Sequence, residues 1–141
     1  MLRTLSIRNI LLIESLDLNF GSGLGVLTGE TGSGKSILLD ALSLAIGVRA
    51  DTDLIRDGED QSMITAEFEI YDPSRINSIL SQHGISVRNN IILRRVISID
   101  GRSRAFIDDQ AVSVTLLRQI GSLLVEVHGQ LEAHGLLDTT T

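Results

Sequence analysis

Apolar and polar positions alternate loosely through Leu2, Leu5 and Ile7, which predicts a strand. After the apolar run 10–13 the alternation resumes at Leu16, Leu18 and Phe20, until Gly21-Ser22-Gly23 breaks it. Residues 24–28 read as a short buried strand. From Ile37 to Ile46 the apolar residues cover most of a helical circumference. That predicts a helix buried between layers, with Gly47 as its stop. Residues 50–60 are polar and acid-rich and read as a loop, and 62–71 alternates again through Met63, Phe68 and Ile70. Asp72-Pro73-Ser74 turns into a short helix with Ile76, Ile79 and Leu80 on one face and Gly84 at its end. Asn89-Asn90 and Asp100-Gly101 read as hairpin turns, which makes 85–106 a run of antiparallel strands. Asp108-Asp109 is a further turn, 112–120 a helix, and 123–127 a buried strand. No internal repeat is visible. The sum is one α/β domain, with an antiparallel section beside a core that carries a Gly-rich loop.

Composition narrows the class. The chain has 141 residues, 43% of them hydrophobic and 21% charged, with a single Pro. This excludes a disordered tail or low-complexity linker and leaves enough chain for a real core. The absence of Cys removes disulfides, thiolate metal sites and a Cys nucleophile. A net charge of −6 argues against a bulk basic nucleic-acid binder but permits a local basic patch. Arg3, Arg8 and Glu14 interrupt any targeting signal, and no apolar run approaches the ~20 residues of a membrane helix, so the expectation is a cytoplasmic protein without a membrane partner. Mean hydropathy is +0.22 despite few aromatics. That implies a large aliphatic core, or apolar surface covered by something outside this chain.

The candidate chemistry lies in one loop. Gly29-Glu30-Thr31-Gly32-Ser33-Gly34-Lys35-Ser36 fits G-x-x-x-x-G-K-[ST] at every fixed position. Glycines let backbone N–H groups close around a phosphate, and the following helix points its positive end at the same spot. Lys35 can span the β- and γ-phosphates, and Ser36 can offer its hydroxyl to Mg²⁺. The flanking strand and apolar helix are the context this motif requires. By contrast, Gly21-Ser22-Gly23-Leu24-Gly25 precedes the strand and fails the dinucleotide pattern. Hydrolysis also needs an acid to orient the metal, usually at the end of an apolar strand. Asp100 reads instead as part of a hairpin turn, and Glu126 lies inside the predicted strand 123–127. His83, His128 and His134 show no metal-ligand spacing. On residues alone this is half of a catalytic site.

Val26 to Leu42, which includes that loop, then Gly47-Val48-Arg49-Ala50, Ile55-Arg56-Asp57-Gly58 and Val127-His128-Gly129-Gln130 closely resemble the RecN branch of the SMC-like ABC ATPases. The resemblance runs from Arg3 to Gln130 and covers the family's N-terminal ATPase lobe. It implies an α/β P-loop NTPase of the ABC/SMC-head type, a lobe with a mixed sheet and an antiparallel β section. It further implies that residues 1–141 are part of a head whose coiled coil and C-terminal lobe, with signature motif, Walker B acid and catalytic glutamate, lie elsewhere. Gly29, Glu30, Thr31, Gly32, Ser33, Gly34, Lys35 and Ser36 would bind the phosphates of ATP. Ser36 and Gln130 would hold Mg²⁺, Gln130 also sensing the attacking water. His128 would be a structural residue beside it. Arg56, and more weakly Arg49, would lie near the nucleotide or DNA face, with a surface salt bridge as the alternative. Arg94-Arg95 with Arg102 and Arg104 would form a basic ribbon across one hairpin, facing DNA or solvent. The implied partners are the chain's own C-terminal lobe, a second head in a homodimer, and DNA. The implied role is double-strand-break repair and recombination at the nucleoid, with little turnover by this lobe alone. A self-contained small phosphotransferase and a non-catalytic binding module stay open beside it.

Overall fold

The computed structural model describes residues 2–20, 32–50 and 52–127, the side chains of 32–38 and 125–127 excepted. Its centre is a six-stranded sheet in which every described pairing is antiparallel. The strands are β1 (Leu2–Ile10), β2 (Ile13–Asn19), β3 (Gln61–Glu69), β4 (Asn90–Ser98), β5 (Ser103–Ile107) and β6 (Gln110–Val112). Their order across the sheet is β2-β1-β3-β4-β5-β6. The helices are α1 (Gly32–Ala45), α2 (Ser74–Leu80) and α3 (Val114–Val127). Residues 24–28, which would add a strand beyond this antiparallel section, lie outside the described residues.

Period-two alternation decides which face is covered. Leu5 and Ile7 of β1, Ile64, Ala66 and Phe68 of β3, Ile91, Leu93 and Ile97 of β4, and Ala105 and Ile107 of β5 are all buried. The cross-strand register puts them on one face. They share a single core with Ala41, Leu42 and Ala45 of α1 and Leu116, Leu117, Ile120 and Leu124 of α3. The opposite face carries Ser6, Arg8, Thr65, Arg94, Arg104 and Phe106. Among the described residues no helix is long and apolar enough to cross a membrane.

Local chemistry sets the element ends. Gly47 (φ 100°) stops α1: its N–H donates to the Leu44 carbonyl, and that of Val48 reaches back to Ser43. Asp108 and Asp109 both take left-handed backbone angles (φ 49° and 69°), the two-residue turn that joins β5 to β6. Ser113 caps α3 by accepting the Leu116 N–H at 3.0 Å.

Three expectations fail. Residues 123–127 are the last turns of α3, not a strand. Leu116, Leu117, Ile120 and Leu124 are spaced for one helical face, and that stripe continues past Gly121. Asn89-Asn90 is not a hairpin turn. The chain reaches β4 from α2, and β4 pairs with β3 over its whole length, so 85–89 is a connection. Asn77 holds that connection by accepting the Val87 N–H at 2.9 Å and donating to its carbonyl at 2.8 Å. Finally, β6 takes up Val112, where a helix was expected to begin.

Candidate functional site

α1 begins at Gly32, so Gly32, Ser33, Gly34, Lys35 and Ser36 form its opening turns. The first N–H groups of a helix have no intrahelical acceptor and carry the positive end of its dipole. The second half of the phosphate motif is therefore built on an anion-attracting backbone. Its first half, Gly29, Glu30 and Thr31, and the residues His128, Gln130 and His134 lie outside the described residues.

The far end of α1 is held by two arginines. Arg95 is only 2% exposed. It sits at the inward position of β4 between Leu93 and Ile97. Its Nη1 donates to the carbonyls of Leu44 (2.9 Å) and Val48 (2.7 Å), and its Nε to Ser103 Oγ (2.7 Å). Burial, and next the nearby Arg118, lower its pKa from the usual arginine value. Arg118 of α3 donates from Nε to the Gly47 carbonyl at 3.2 Å. Two cations thus face the negative end of the helix whose positive end carries the motif.

α1 and α3 meet closely there. A Cβ at Gly121 would lie 2.6 Å from the Ile46 carbonyl oxygen, and one at Gly47 would lie 2.6 Å from the Arg118 Cα. Ile46 and Gly47, in the turn that follows α1, thus lie directly against Gly121 and Arg118 of α3. Neither Arg118 nor Gly121 stands out in the sequence. Arg95 does give a signal, since a charged residue occupies the apolar parity of a strand.

The basic ribbon is not formed. Arg95 faces the core, whereas Arg94 lies on the other face, 4.5 Å over the Phe106 ring and 3.2 Å from Asp109. Arg102 lies 3.5 Å from Asp100. Asp100 sits in the β4–β5 turn, where its carboxylate accepts the Arg102 N–H at 3.0 Å, as the turn reading expects. Glu126 belongs to α3, so its reading as a strand residue is corrected. Arg49 lines a hollow of about 530 Å³ with Ala50, Thr52 and Gly101, just past the C-terminal end of α1. Arg56 pairs with Glu59 at 3.9 Å, the surface salt bridge of the alternative reading. His83 is exposed at the end of a short 3₁₀ turn. Among the described residues no group of three or more His, Asp or Glu could hold a metal ion.

Comparison with known proteins gives the family and the fold. The AAA domain family matches residues 4–130. The DNA repair protein RecN of Vibrio cholerae serotype O1 is 42% identical over 130 residues, which are 92% of this chain and 24% of that protein. RecN of Bacillus subtilis is 39% identical over 139 residues, 98% of this chain and 24% of that protein. The chain thus spans about a quarter of the length of these relatives. Among solved structures, a chain from work on ATP-driven dimerization and DNA-stimulated activation of SMC ATPases superposes with a TM-score of 0.65 at 18% identity, covering 99% of both chains. The SMC head domain from Thermotoga maritima gives 0.57 at 17% identity, covering 84% of this chain and 41% of that one. The fold is that of an SMC-type ATPase head. The chain belongs to the AAA domain family, and within it resembles the repair protein RecN over nearly its whole length.

Proposed function

We propose that this chain is the N-terminal, ATP-binding lobe of a RecN-like ATPase acting in DNA double-strand-break repair and recombination. The observation that carries the reading is the position of Gly32–Ser36 at the opening of α1, on the free N–H groups that a phosphate chain requires. Gly29, Glu30 and Thr31 complete the cradle, and Lys35 places its charge against the β- and γ-phosphates. Ser36 contributes a hard hydroxyl oxygen, the donor type that Mg²⁺ selects, and Gln130 joins it on the metal. Mg²⁺ supplies charge neutralisation between the phosphates when bound. The assignment of Gln130 rests on the resemblance of Val127-His128-Gly129-Gln130 to the family's motif.

ATP hydrolysis requires the C-terminal lobe and a second head. Two observations support this. Asp100 is committed to a hairpin turn and paired with Arg102, and Glu126 lies in a helix, so neither ends an apolar strand beside the motif. The homodimer of heads, the action on DNA and a place at the nucleoid belong to the same reading. They rest on the likeness to RecN and to the SMC heads.

Calorimetric titration of the chain with ATP and Mg²⁺ is expected to give saturable heat that Lys35→Ala abolishes. A phosphate-release assay on the same chain is expected to show negligible turnover. No heat with Lys35 intact overturns the nucleotide assignment, and robust turnover overturns the missing-acid argument.

A further inference from the structure

We propose that Arg95 is a positioning residue for nucleotide binding: from the opposite end of α1 it fixes where that helix aims its phosphate-facing amides. The inference rests on the nucleotide reading above and extends it to a residue at the far end of α1, where Leu44 lies about 12 Å along the axis from Ser36 at 1.5 Å of rise per residue.

Arg95 presents an electrostatic mismatch. Arg95 is buried, and among the described residues it forms no salt bridge. A buried cation without a carboxylate is costly, and an apolar residue of similar volume fills such a site more cheaply. Its neighbours at the same strand parity, Leu93 and Ile97, show what packing alone selects there. What Arg95 has in place of a carboxylate is the end of α1. The Leu44 and Val48 carbonyls take two hydrogens from Nη1, and Ser103 on the next strand takes the hydrogen of Nε. A planar guanidinium held at three points defines position and direction together, which a single ammonium does not. The clamp therefore locks the end of α1 to the β4–β5 hairpin. A helix is stiff along its axis, so a slip or rotation at one end appears at the other, and misplacement by about 1 Å is enough to spoil a polar site.

The test compares wild type, Arg95→Met, Arg95→Lys, Ser103→Ala and Lys35→Ala. Each is melted thermally. Each is then titrated with a fluorescent ATP analogue and Mg²⁺, well below its own melting temperature. Arg95→Met is expected to weaken nucleotide binding roughly tenfold or more while the protein remains folded. Arg95→Lys is expected to recover part of that loss, and Ser103→Ala to weaken binding by a smaller factor. A merely structural role lowers the melting temperature and leaves the Kd of folded protein unchanged. An unchanged Kd in Arg95→Met overturns the proposal. Should that variant fail to fold, an unchanged Kd in both Arg95→Lys and Ser103→Ala overturns it. Wild type that binds no nucleotide, or Lys35→Ala that binds as wild type does, overturns the nucleotide reading instead.

Discussion

Arg8 and Asp17 tie the edge strand β2 to β1 through two hydrogen bonds, Nη1 to Oδ1 at 2.8 Å and Nη2 to Oδ2 at 3.2 Å. The hydrogen bond from Arg8, and next one from Ser6, hold the Asp17 carboxyl below its usual value of 3.8. A carboxylate depressed in the folded state stabilises the fold above the unfolded pKa, and the contribution disappears as pH falls through the folded one. Asp17→Asn is therefore expected to lower stability slightly at neutral pH and to match wild type once the pH is well below 3.8. Urea unfolding across that range checks it. The pair is exposed, so 1 M salt is expected to shrink the difference as well. Not all of this scale is legible in sequence. The phosphate motif is, because its chemistry is local and its spacing fixed. The three-point hold of Arg95 is not, because its acceptors lie 47 and 51 residues away along the chain and a third on a neighbouring strand.

At the scale of elements, α3 packs tightly against the turn that follows α1. Gly121→Ala places a methyl group 2.6 Å from a carbonyl oxygen, and α1 must shift to admit it. A loss of about 1–3 kcal/mol is expected, read by chemical denaturation. Gly47→Ala adds backbone strain at φ 100° to a clash 2.6 Å from the Arg118 Cα, and is expected to cost more. Leu117→Ala, at a fully buried position on α3, is expected to cost about 2–5 kcal/mol by the same measurement. The strand expectation for 123–127 belongs here too. A short apolar run reads equally well as a buried strand or as the end of a buried helix. What decides it is the preceding stripe and the capping hydroxyl of Ser113, together with a neighbour close enough to make Gly121 an asset.

Across the described residues, one face of the sheet is covered by helices, and β2 and β6 are the outermost of the described strands. Hydrogen exchange is expected to be slower in β1, β3, β4 and β5, which are paired on both sides, than in β2 and β6; protection in β2 equal to that in β3 contradicts this. Much of the aliphatic content of the described residues lies in one core under α1 and α3, with Leu12, Tyr71 and Ile99 among the large apolar side chains described as strongly exposed. The sequence by itself determined the phosphate-loop motif, the alternation of most strands, the stop at Gly47 and the family likeness. Each of these is written in neighbouring residues or fixed spacings. Only the tertiary structure decided which carbonyls Arg95 holds, that 123–127 stay helical, and that two cations meet the end of α1. These depend on which distant segment lies opposite, and strand pairing and helix contact set that, not local composition.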